Sequence, residues 1–543
     1  MDAFSDIRRL KLYFLPYPEP GHMVPLYELA ILFANRGLHV TIITTPLNIL
    51  GKSIHTPQIH IKTFKFPSHQ VGLPEGTENF VAVADAAGAA KLHTALHLLR
   101  QPIEEFILKN PPHCIIADFF FPWTTPLAQI LHIPRLVFFP YSAFSACIMN
   151  SLAQLMKSTV PGPGSDPVTI PGLPHPITMT WSQLPNPAKL PKEIAKIGEA
   201  MREAELNSFG VVVNSFDDMD VEYTRHYESV IGRRLWPIGP TSLIHKTHEE
   251  KTERSYKSVV EEHECMNWLN AKKPDSVVYI AFGSAWRFPE AQLQEIARGM
   301  EASERDFIWV VSGKTEILLP KGLEERGMVV RGWAPQLLIL GHPAIGGYVT
   351  HCGWNSVLES VSAGVPMMTW PLFFDQFYNE KLVTEVHGCG VRVGCEEYGM
   401  TAYEAKEKLV RREMIEEAVR KVMDGGDEAL EMRRRVREMA QKARKAVEDD
   451  LLALIWIRSS IRAVRLFCED PPSSSAALAL TSSSLTRFLI SVASSPPSIT
   501  FLTAFSMRSP LTTFFLSWPA VRVHSSDPTS TPIPCTCVTN FSL

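Results

Sequence analysis

Residues 333–376 decide the fold, and they read WAPQLLILGHPAIGGYVTHCGWNSVLESVSAGVPMMTWPLFFDQ. One strand is expected to end at Trp333, and the apolar residues 348–350 predict the next strand after a glycine-rich loop. The turn 351–353 then starts a helix, which stops at Gly364, just before a proline. Strands that alternate with helices are typical of a parallel sheet, so this stretch predicts an α/β fold.

The same alternation continues on both sides of this stretch. The predicted strands are runs rich in β-branched or aromatic residues, and the predicted helices have apolar residues at helical spacing. In the N-terminal half the strands are residues 10–15, 39–45, 114–117 and 135–139, and the helices are residues 26–35 and 126–131. In the C-terminal half the strands are residues 277–281, 307–311 and 328–331, and the helix is 290–301. The chain is therefore predicted to contain two α/β domains, each built on a parallel sheet of the nucleotide-binding type.

Shifts in composition place the domain boundaries. Residues 241–257 are hydrophilic and charged and have no apolar period, which predicts a linker between a domain over 1–240 and a second over 258–448. Residues 449–543 contain no lysine, are rich in serine and threonine, and are interrupted by prolines. This low-complexity tail is predicted to be disordered rather than a folded domain.

Charge and composition exclude several classes of protein. The chain has 543 residues, with 53 Lys and Arg against 57 Asp and Glu, so its net charge of −4 gives no reason to expect a nucleic acid or an acidic membrane as partner. It has no long apolar run for a membrane span, and prolines interrupt the apolar stretch near the N-terminus, so no secretory signal is predicted. The nine scattered cysteines form no paired CxxC pattern. Reduced thiols and a cytoplasmic location are the expectation.

His22 is the first candidate catalytic residue. It lies between a predicted strand and a predicted helix, where Gly21 and Pro25 are expected to fix the turn and start the helix. Ligands of parallel sheets bind outside the carboxyl ends of the strands, and imidazole is well suited to take a proton from a hydroxyl. The alternative is a solvent-exposed loop histidine without function.

Asp118 is the candidate partner of His22. It follows the apolar residues 114–117 and so ends another parallel strand, at the same edge of the sheet. A carboxylate there can accept a hydrogen bond from one imidazole nitrogen and stabilise the imidazolium that forms when the other nitrogen takes a proton. The alternative is a helix N-cap or turn residue.

A candidate anion site lies at the start of the helix after Gly353. Unpaired main-chain N–H groups and the helix dipole favour phosphate at such a position, and Asn355 and Ser356 lie in the first turn. His351 could add a side-chain donor. The alternative is that Ser356 and Glu359 form a capping box.

Glu359 and Trp333 are candidate ligands of the ribose and the base of a nucleotide. Glu359 lies one helical turn after Ser356, where its two oxygens could accept from vicinal ribose hydroxyls. Trp333 offers a flat ring on which a base could stack, although a lone tryptophan at a strand end is more often part of the core.

These residues carry a family resemblance. The stretch opens with Trp-Ala-Pro-Gln, passes through His-Cys-Gly-Trp-Asn-Ser, closes with Asp-Gln and is 44 residues long. It resembles the signature of the plant UDP-sugar-dependent glycosyltransferases of secondary metabolism. The resemblance covers roughly residues 8–448 and implies the GT-B fold, two facing Rossmann-like domains with the acceptor on the N-terminal side.

The resemblance also implies a role for each residue of the signature. The base and ribose would be bound by Trp333, Ala334, Gln336 and Glu359. The diphosphate would be bound by Ser284, His351, Asn355 and Ser356. The sugar hydroxyls would be held by Trp354, Asp375 and Gln376, of which the terminal glutamine resembles the glucose-using members. His22 is similar to the family's general base and Asp118 to its partner.

The implied reaction is an inverting transfer of a hexose, glucose by preference, from a UDP-sugar to a hydroxyl of a small lipophilic acceptor such as a flavonoid or another phenolic. A monomer without a metal or cofactor is expected. Two rival functions stay open, a catalytically silent UDP-sugar-binding protein and an enzyme that modifies the sugar nucleotide, such as an epimerase. The silent binder is considered because the sequence from Asp449 onward departs from the family ending, where a helix usually braces the N-terminal domain.

Two further clusters have two interpretations each. The acidic group Asp217, Asp218 and Asp220 resembles a metal-binding DxD motif, but its position before a predicted helix favours capping and dipole chemistry. The aromatic run 119–123 beside Asp118 is expected to be mixed, with one or two rings in the acceptor cleft and the others in the core.

Overall fold

A computed structural model describes residues 10–50, 57–83, 85–185, 192–254, 262–283, 288–311, 319–399 and 408–449, with two further short strands near the C-terminus. Residues 1–461 form one compact unit and residues 462–543 form another.

The N-terminal domain is built on a seven-stranded parallel sheet with strand order β3-β2-β1-β4-β5-β8-β9. Its central strands are buried on both faces, which is why they read as continuous apolar runs rather than as alternating ones. The strands are β1 (Lys11–Leu15), β2 (His39–Thr44), β3 (Ile59–Thr63), β4 (Cys114–Asp118), β5 (Arg135–Phe139), β8 (Gly210–Val213) and β9 (Leu235–Pro237). A separate antiparallel pair is formed by β6 (Pro167–Ile170) and β7 (Ile177–Thr180).

The C-terminal domain is built on a six-stranded parallel sheet with strand order β12-β11-β10-β13-β14-β15. The strands are β10 (Val277–Ala281), β11 (Asp306–Val311), β12 (Gly327–Arg331), β13 (Ile345–Thr350), β14 (Met367–Thr369) and β15 (Gly390–Arg392). The predicted α/β class with two Rossmann-like domains is confirmed by these two sheets.

Helices connect the strands in both domains, as the crossovers of parallel sheets require. In the N-terminal domain and linker they are α1 (Pro20–Asn35), α2 (Ala86–Leu98), α3 (Arg100–Lys109), α4 (Thr124–Ile130), α5 (Ala143–Ser158), α6 (Lys192–Leu206), α7 (Asp217–Ile231) and α8 (His248–Glu253). In the C-terminal domain they are α9 (Glu262–Asn270), α10 (Glu290–Ser303), α11 (Gln336–Leu340), α12 (Trp354–Ala363), α13 (Gln376–Lys381), α14 (Arg412–Met423) and α15 (Asp427–Asp449).

Two predicted boundaries are wrong. Helix α1 begins at Pro20 and contains Pro25, because Pro20 has the fixed φ that suits the first helical position, so the helix starts before His22 rather than after it. Strand β12 ends at Arg331, which agrees with the predicted strand over 328–331 and not with an end at Trp333, because Gly332 takes a left-handed φ of 102° that breaks the extended backbone.

The predicted linker is more ordered than its composition suggested. A 3₁₀ turn spans Thr241–Ile244, and α8 begins with a capping box made by Thr247 and Glu250. Thr241 and His245 are buried, so this segment packs against the domains. The last predicted linker residues, 255–257, lie outside the described ranges.

Helix α15 lies against both domains. It packs on α12 in the C-terminal domain and on α7 in the N-terminal domain. Lys442 Nζ lies 2.9 Å from Asp218 Oδ1 across this contact. Helix α15 therefore bridges the two domains up to Asp449, and the segment that follows, where the resemblance places the bracing helix, lies outside the described residues.

The second unit is described only in part. Its two described strands, Phe514–Ser517 and Val538–Phe541, pair antiparallel. The other residues of the predicted tail from 450 onward lie outside the described ranges. Among the described residues, no helix combines the length and the apolar composition needed to cross a bilayer.

Met432 allows the packing of helix α15 to be tested. It is 5% exposed in the core, so Met432→Ala leaves a cavity and should cost about 2–5 kcal/mol of stability. Leu430 on the same helix is 56% exposed, and Leu430→Ala should cost less than about 1 kcal/mol. Thermal unfolding of both variants is the measurement, and equal unfolding midpoints would contradict the packing of this helix.

Candidate active site

His22 and Asp118 are in direct contact. Asp118 ends strand β4 and is fully buried, and His22 lies in the first turn of α1 with 17% of its side chain exposed. His22 Nδ1 lies 2.9 Å from Asp118 Oδ2. Because a carboxylate only accepts, Nδ1 carries the proton, which leaves Nε2 as the nitrogen with a free lone pair. The exposed-loop interpretation of His22 is therefore wrong.

Asp118 uses its two oxygens for different partners. Oδ2 accepts from His22, and Oδ1 accepts from the main-chain N–H of Phe120 at 3.0 Å. The second contact is a turn interaction, so the turn interpretation is correct for one oxygen, but the helix that follows is capped at Trp123 instead. The turn fixes the carboxylate that orients the imidazole.

Charges on both domains act on His22. Burial alone would lower the pKa of His22, but the negative charge of Asp118 and its hydrogen bond outweigh burial and raise the pKa. Glu19 and Asp375 also raise the pKa of His22. Asp375 belongs to the C-terminal domain, so the imidazole lies close to a carboxylate of the opposite domain.

Aromatic rings surround the imidazole. Phe119 stacks on His22 with the centroids 5.6 Å apart, and Phe120 stacks on Tyr17 at 4.4 Å. Tyr17 also donates to or accepts from His93 at 3.0 Å. Phe121 packs against the apolar cluster behind the sheet, as Trp123 does, which agrees with the expected mixture of cleft and core rings.

The start of helix α12 has the features of an anion site. Gly353 is the N-cap and offers no side chain, so the first-turn N–H groups lack an intrahelical acceptor. Ser356 is the third residue of the helix rather than its cap, so the capping-box interpretation of Ser356 and Glu359 is wrong. Cys352, just before the cap, has a left-handed φ of 62°, a conformation that is strained for cysteine.

His351 is packed against this helix start. A Cβ placed on Gly353 would lie 2.5 Å from His351 Nε2, and one on Gly283 would lie 2.8 Å from the same atom, so glycine is needed at both positions. Burial lowers the pKa of His351 to about 4, which keeps the ring neutral. Its buried Nδ1 has no hydrogen-bond partner among the described residues. Ser284, the other predicted side-chain ligand of the diphosphate, lies outside the described residues.

Asn355 joins the two domains at this point. Its Nδ2 donates to the main-chain oxygen of Gly21 at 2.8 Å. Pro25 has no N–H, so the Gly21 carbonyl lacks its usual intrahelical donor four residues on. The proline inside α1 thus leaves an acceptor that the C-terminal domain uses.

Trp354 also contacts the N-terminal domain. Its indole Nε1 donates to the main-chain oxygen of Asn214 at 2.6 Å, and the side chain is 3% exposed. Since this donor is engaged, the first-turn main-chain N–H of Trp354 is the donor that can face a ligand.

The predicted nucleoside residues lie together beside α12. Glu359 Oε2 accepts from Gln336 Nε2 at 2.6 Å, and the same nitrogen lies 3.4 Å from Ser356 Oγ. Gln336 Oε1 in turn accepts from the hydroxyls of two tyrosines, Tyr279 and Tyr348. Trp333 and Ala334 precede α11 and are half-buried.

The predicted sugar residues Asp375 and Gln376 begin helix α13. Asp375 Oδ2 accepts from Asn379 Nδ2 at 2.7 Å, and burial raises the pKa of Asp375 to about 6. Gln376 Oε1 accepts from the main-chain N–H groups of Leu372 and Phe373, which leaves its amide N–H₂ as a donor.

The acidic group at the start of α7 has a structural role. All three carboxylates lie in the first turn, and buried Asp220 accepts from the main-chain N–H groups of Ala143 and Phe144 at the start of α5. Asp220 therefore binds first-turn N–H groups of α5, whereas the N-cap of α7 itself is Phe216, which makes no side-chain cap hydrogen bond. Within the described ranges, no three His, Cys, Asp or Glu side chains lie close enough together to hold a metal ion.

Several residues of this region were missed by sequence reasoning. Asn379 donates to Asp375, and the main-chain oxygen of Asn214 accepts from Trp354. Arg254 forms ion pairs with both Glu28 and Glu359. Glu28 offered one signal, a charge inside the apolar helix 26–35. Arg254 offered none, because it lies in a segment rich in exposed charges.

Two Rossmann-like domains, with His22 near Asp375 of the opposite domain and the start of α12 bonded to α1, have the arrangement of the GT-B fold. The family profile described as UDP-glucoronosyl and UDP-glucosyl transferase matches residues 109–423. The chain therefore belongs to this family of UDP-glycosyltransferases, as the sequence resemblance implied.

Curated plant relatives match most of the chain. UDP-glucosyl transferase 73CC6 of Saponaria officinalis is 47% identical over 83% of this chain and 97% of its own. UDP-glucose flavonoid 3-O-glucosyltransferase 7 of Fragaria ananassa is 45% identical, with 83% and 96% covered. Scopoletin glucosyltransferase of Nicotiana tabacum is 42% identical, with 81% and 95% covered.

Solved plant structures share the fold. UGT73P12 of Glycyrrhiza uralensis, complexed with glycyrrhetinic acid 3-O-monoglucuronide, has a TM-score of 0.78 at 36% identity and covers 85% of this chain and 98% of its own. UGT71G1 of Medicago truncatula, complexed with UDP-glucose, has a TM-score of 0.68 at 25% identity, with 85% and 99% covered.

The electrostatics of His22 can be measured by NMR titration of ¹³C-labelled histidine. The wild-type pKa should lie above the ordinary 6.5, so the ring gains its proton earlier as the pH falls. Asp118→Asn removes the charge that opposes burial and should bring the pKa below 6.5. Glu19→Gln, which removes a carboxylate 3.8 Å away, should lower it less. An unchanged pKa in Asp118→Asn would contradict the pairing.

Proposed function

We propose that this enzyme transfers glucose from UDP-glucose, with inversion, to a hydroxyl of a small aromatic acceptor. The observation that carries the proposal is His22, which is held by Asp118 and lies near Asp375 of the opposite domain. A base at the junction of two domains can meet an acceptor bound on one side and a donor bound on the other.

His22 acts as the general base. The acceptor hydroxyl gives its proton to Nε2 as its oxygen attacks the anomeric carbon of the donor. The bond between that carbon and the diphosphate breaks, and its electron pair leaves with UDP. Asp118 stabilises the imidazolium through the Nδ1 hydrogen bond. Attack from the face opposite the leaving group converts an α-linked donor into a β-glucoside.

The diphosphate binds at the start of α12. Its negative charge is met by the first-turn N–H groups after Gly353 and by neutral His351, whose Nδ1 would gain a partner. Ser356 adds a hydroxyl, and the Asn355 amide stays shared with Gly21 of the other domain. These neutral donors supply the stabilisation that a metal ion supplies in other transferases, so no metal is proposed.

Asp375 and Gln376 bind the sugar. The Asp375 carboxylate accepts from sugar hydroxyls, and the amide of Gln376 donates to them. Asn379 fixes the orientation of Asp375 through a 2.7 Å hydrogen bond. The base and ribose are bound by Trp333, Ala334, Gln336 and Glu359, in the positions that the resemblance implies.

The acceptor binds against the aromatic rings around His22. Phe119 and Phe120 provide flat apolar surfaces within reach of the imidazole, which suit a planar phenolic ring. The relatives named for a flavonoid and for scopoletin agree with this acceptor class.

The protein is predicted to act as a monomer.

The geometry bears on the two rival functions in different ways. The silent UDP-sugar binder is considered because the sequence from Asp449 onward departs from the family ending; α15 contacts the N-terminal domain before that point, and the product assay separates the silent binder from the enzyme. An epimerase has no need of a base on the domain opposite the donor.

A product assay tests the reaction. Purified protein is incubated with UDP-glucose, EDTA and a panel of flavonols, phenolic acids and terpenoids, and products are identified by mass and by the anomeric proton coupling. A β-glucoside is expected with EDTA present. Binding of UDP-glucose without product from any acceptor would favour the silent binder.

His22→Ala tests the base. Loss of the proton acceptor should reduce kcat by about 10²–10⁴-fold, while UDP affinity, measured by calorimetry, changes little. The matched control is His39→Ala, which removes an exposed histidine at the start of β2 and should leave both values unchanged. Full turnover by His22→Ala would remove His22 from this role.

A further inference from the structure

A second polar cluster joins the domains near the middle of α1. Its centre is Glu28, a helical carboxylate with 3% of its side chain exposed. Glu28 Oε2 accepts from Thr241 Oγ1 at 2.6 Å, and Oε1 accepts from His245 Nε2 at 2.9 Å. Both partners come from the linker, so Glu28 ties the linker to the helix that carries His22.

Arg254 connects this cluster to the C-terminal domain. Its Nε donates to Glu28 Oε1 at 2.5 Å, and its Nη1 donates to Glu359 Oε1. The arginine side chain is 11% exposed, and Glu359 is 4% exposed. One guanidinium therefore lies between two buried carboxylates that belong to different domains.

The electrostatics explain why the residue is arginine. Burial would raise the pKa of Glu28, but the charge of Arg254 and the contacts with His245 lower it to about 2. Two buried carboxylates without a cation would repel each other and lose solvation. A planar guanidinium donates in two directions at once, whereas an ammonium is a single point charge.

Glu359 is held on both of its oxygens. Arg254 binds Oε1 and Gln336 binds Oε2 at 2.6 Å. Each carboxylate oxygen has a second lone pair, so Glu359 can still accept from two hydroxyls while both protein donors stay in place. The donors fix the plane of the carboxylate before a ligand arrives, which reduces the entropy lost on binding.

We infer that Arg254 is a positioning residue for the UDP ribose. It holds the Glu359 carboxylate in the orientation that suits the two ribose hydroxyls, and it links that carboxylate through Glu28 to the helix that carries the base. This inference rests on the proposed assignment of Glu359 to the ribose. The linker, which carries Arg254, is thereby part of the donor site.

The test compares two ligands that differ only in the hydroxyls concerned. Calorimetry measures the affinities of UDP and of 2′,3′-dideoxy-UDP for the full chain and for Arg254→Met. Wild type should prefer UDP by at least about tenfold, because hydrogen bonds to a charged group are lost in the dideoxy compound. In Arg254→Met the UDP affinity should fall by about tenfold and the dideoxy-UDP affinity by less than about twofold.

Kinetics give a second readout. The KM for UDP-glucose should rise about tenfold in Arg254→Met with kcat nearly unchanged, because the ribose is bound equally in the ground state and the transition state. Arg234→Met is the control. The Arg234 side chain is 54% exposed and forms its ion pair with Glu228 of the N-terminal domain. It should leave the ligand preference and the KM unchanged.

The outcomes separate the two proposals. If wild type binds both ligands equally, the ribose assignment of Glu359 fails, and this inference fails with it. If wild type prefers UDP and Arg254→Met keeps the full preference, only the role of Arg254 is overturned. An equal loss for both ligands also overturns it, because that is the result of a general structural defect.

Arg254→Lys covers the case in which the methionine variant does not fold. Lysine keeps the positive charge and can donate, but it lacks the rigid planar fork whose separate nitrogens reach Glu28 and Glu359, so the preference for UDP should be reduced but not abolished. An unchanged preference in Arg254→Lys would count against the role of the guanidinium.

Discussion

The contact between the first turns of two helices is the constraint on which the site depends. Helix α1 brings His22 and the Gly21 carbonyl to this contact, and α12 brings its first-turn N–H groups and Asn355. Each helix follows a strand of its own parallel sheet, so each first turn lies at the carboxyl edge of that sheet. The amide of Asn355 joins the two edges, because Pro25 leaves the Gly21 oxygen without a helical donor.

Polar groups buried between the domains make the contact specific. Each is hydrogen-bonded, as burial requires, and the bonds cross from one domain to the other at Asn355, Trp354 and Arg254. Apolar packing alone tolerates many relative positions, whereas hydrogen bonds and ion pairs hold only at short distance and fixed angle. The two domains therefore have a defined spacing next to His22, where Asn355 donates to Gly21.

The predictions that rest on local sequence patterns agree with the structure better than those that concern where an element begins. The strands and helices were predictable because buried parallel strands and amphipathic helices leave local patterns, and the 44-residue signature identified the family. The predicted start of α1 at Pro25 is wrong because the helix begins at Pro20 and contains Pro25 in its interior. The capping box was a false alternative because local spacing does not reveal which residue ends the preceding loop.

The sequence by itself determined the two-domain α/β class, the family, and the residues that the motif brings close in the chain. His22 lies against Asp118, as predicted, but only the folded chain shows that Gly21 meets Asn355 and that Glu28 is linked to Glu359 through Arg254. The physical reason is the range of the interactions. Periodicity and capping act between neighbours in the chain, whereas a salt bridge between residues more than a hundred positions apart depends on how two sheets pack.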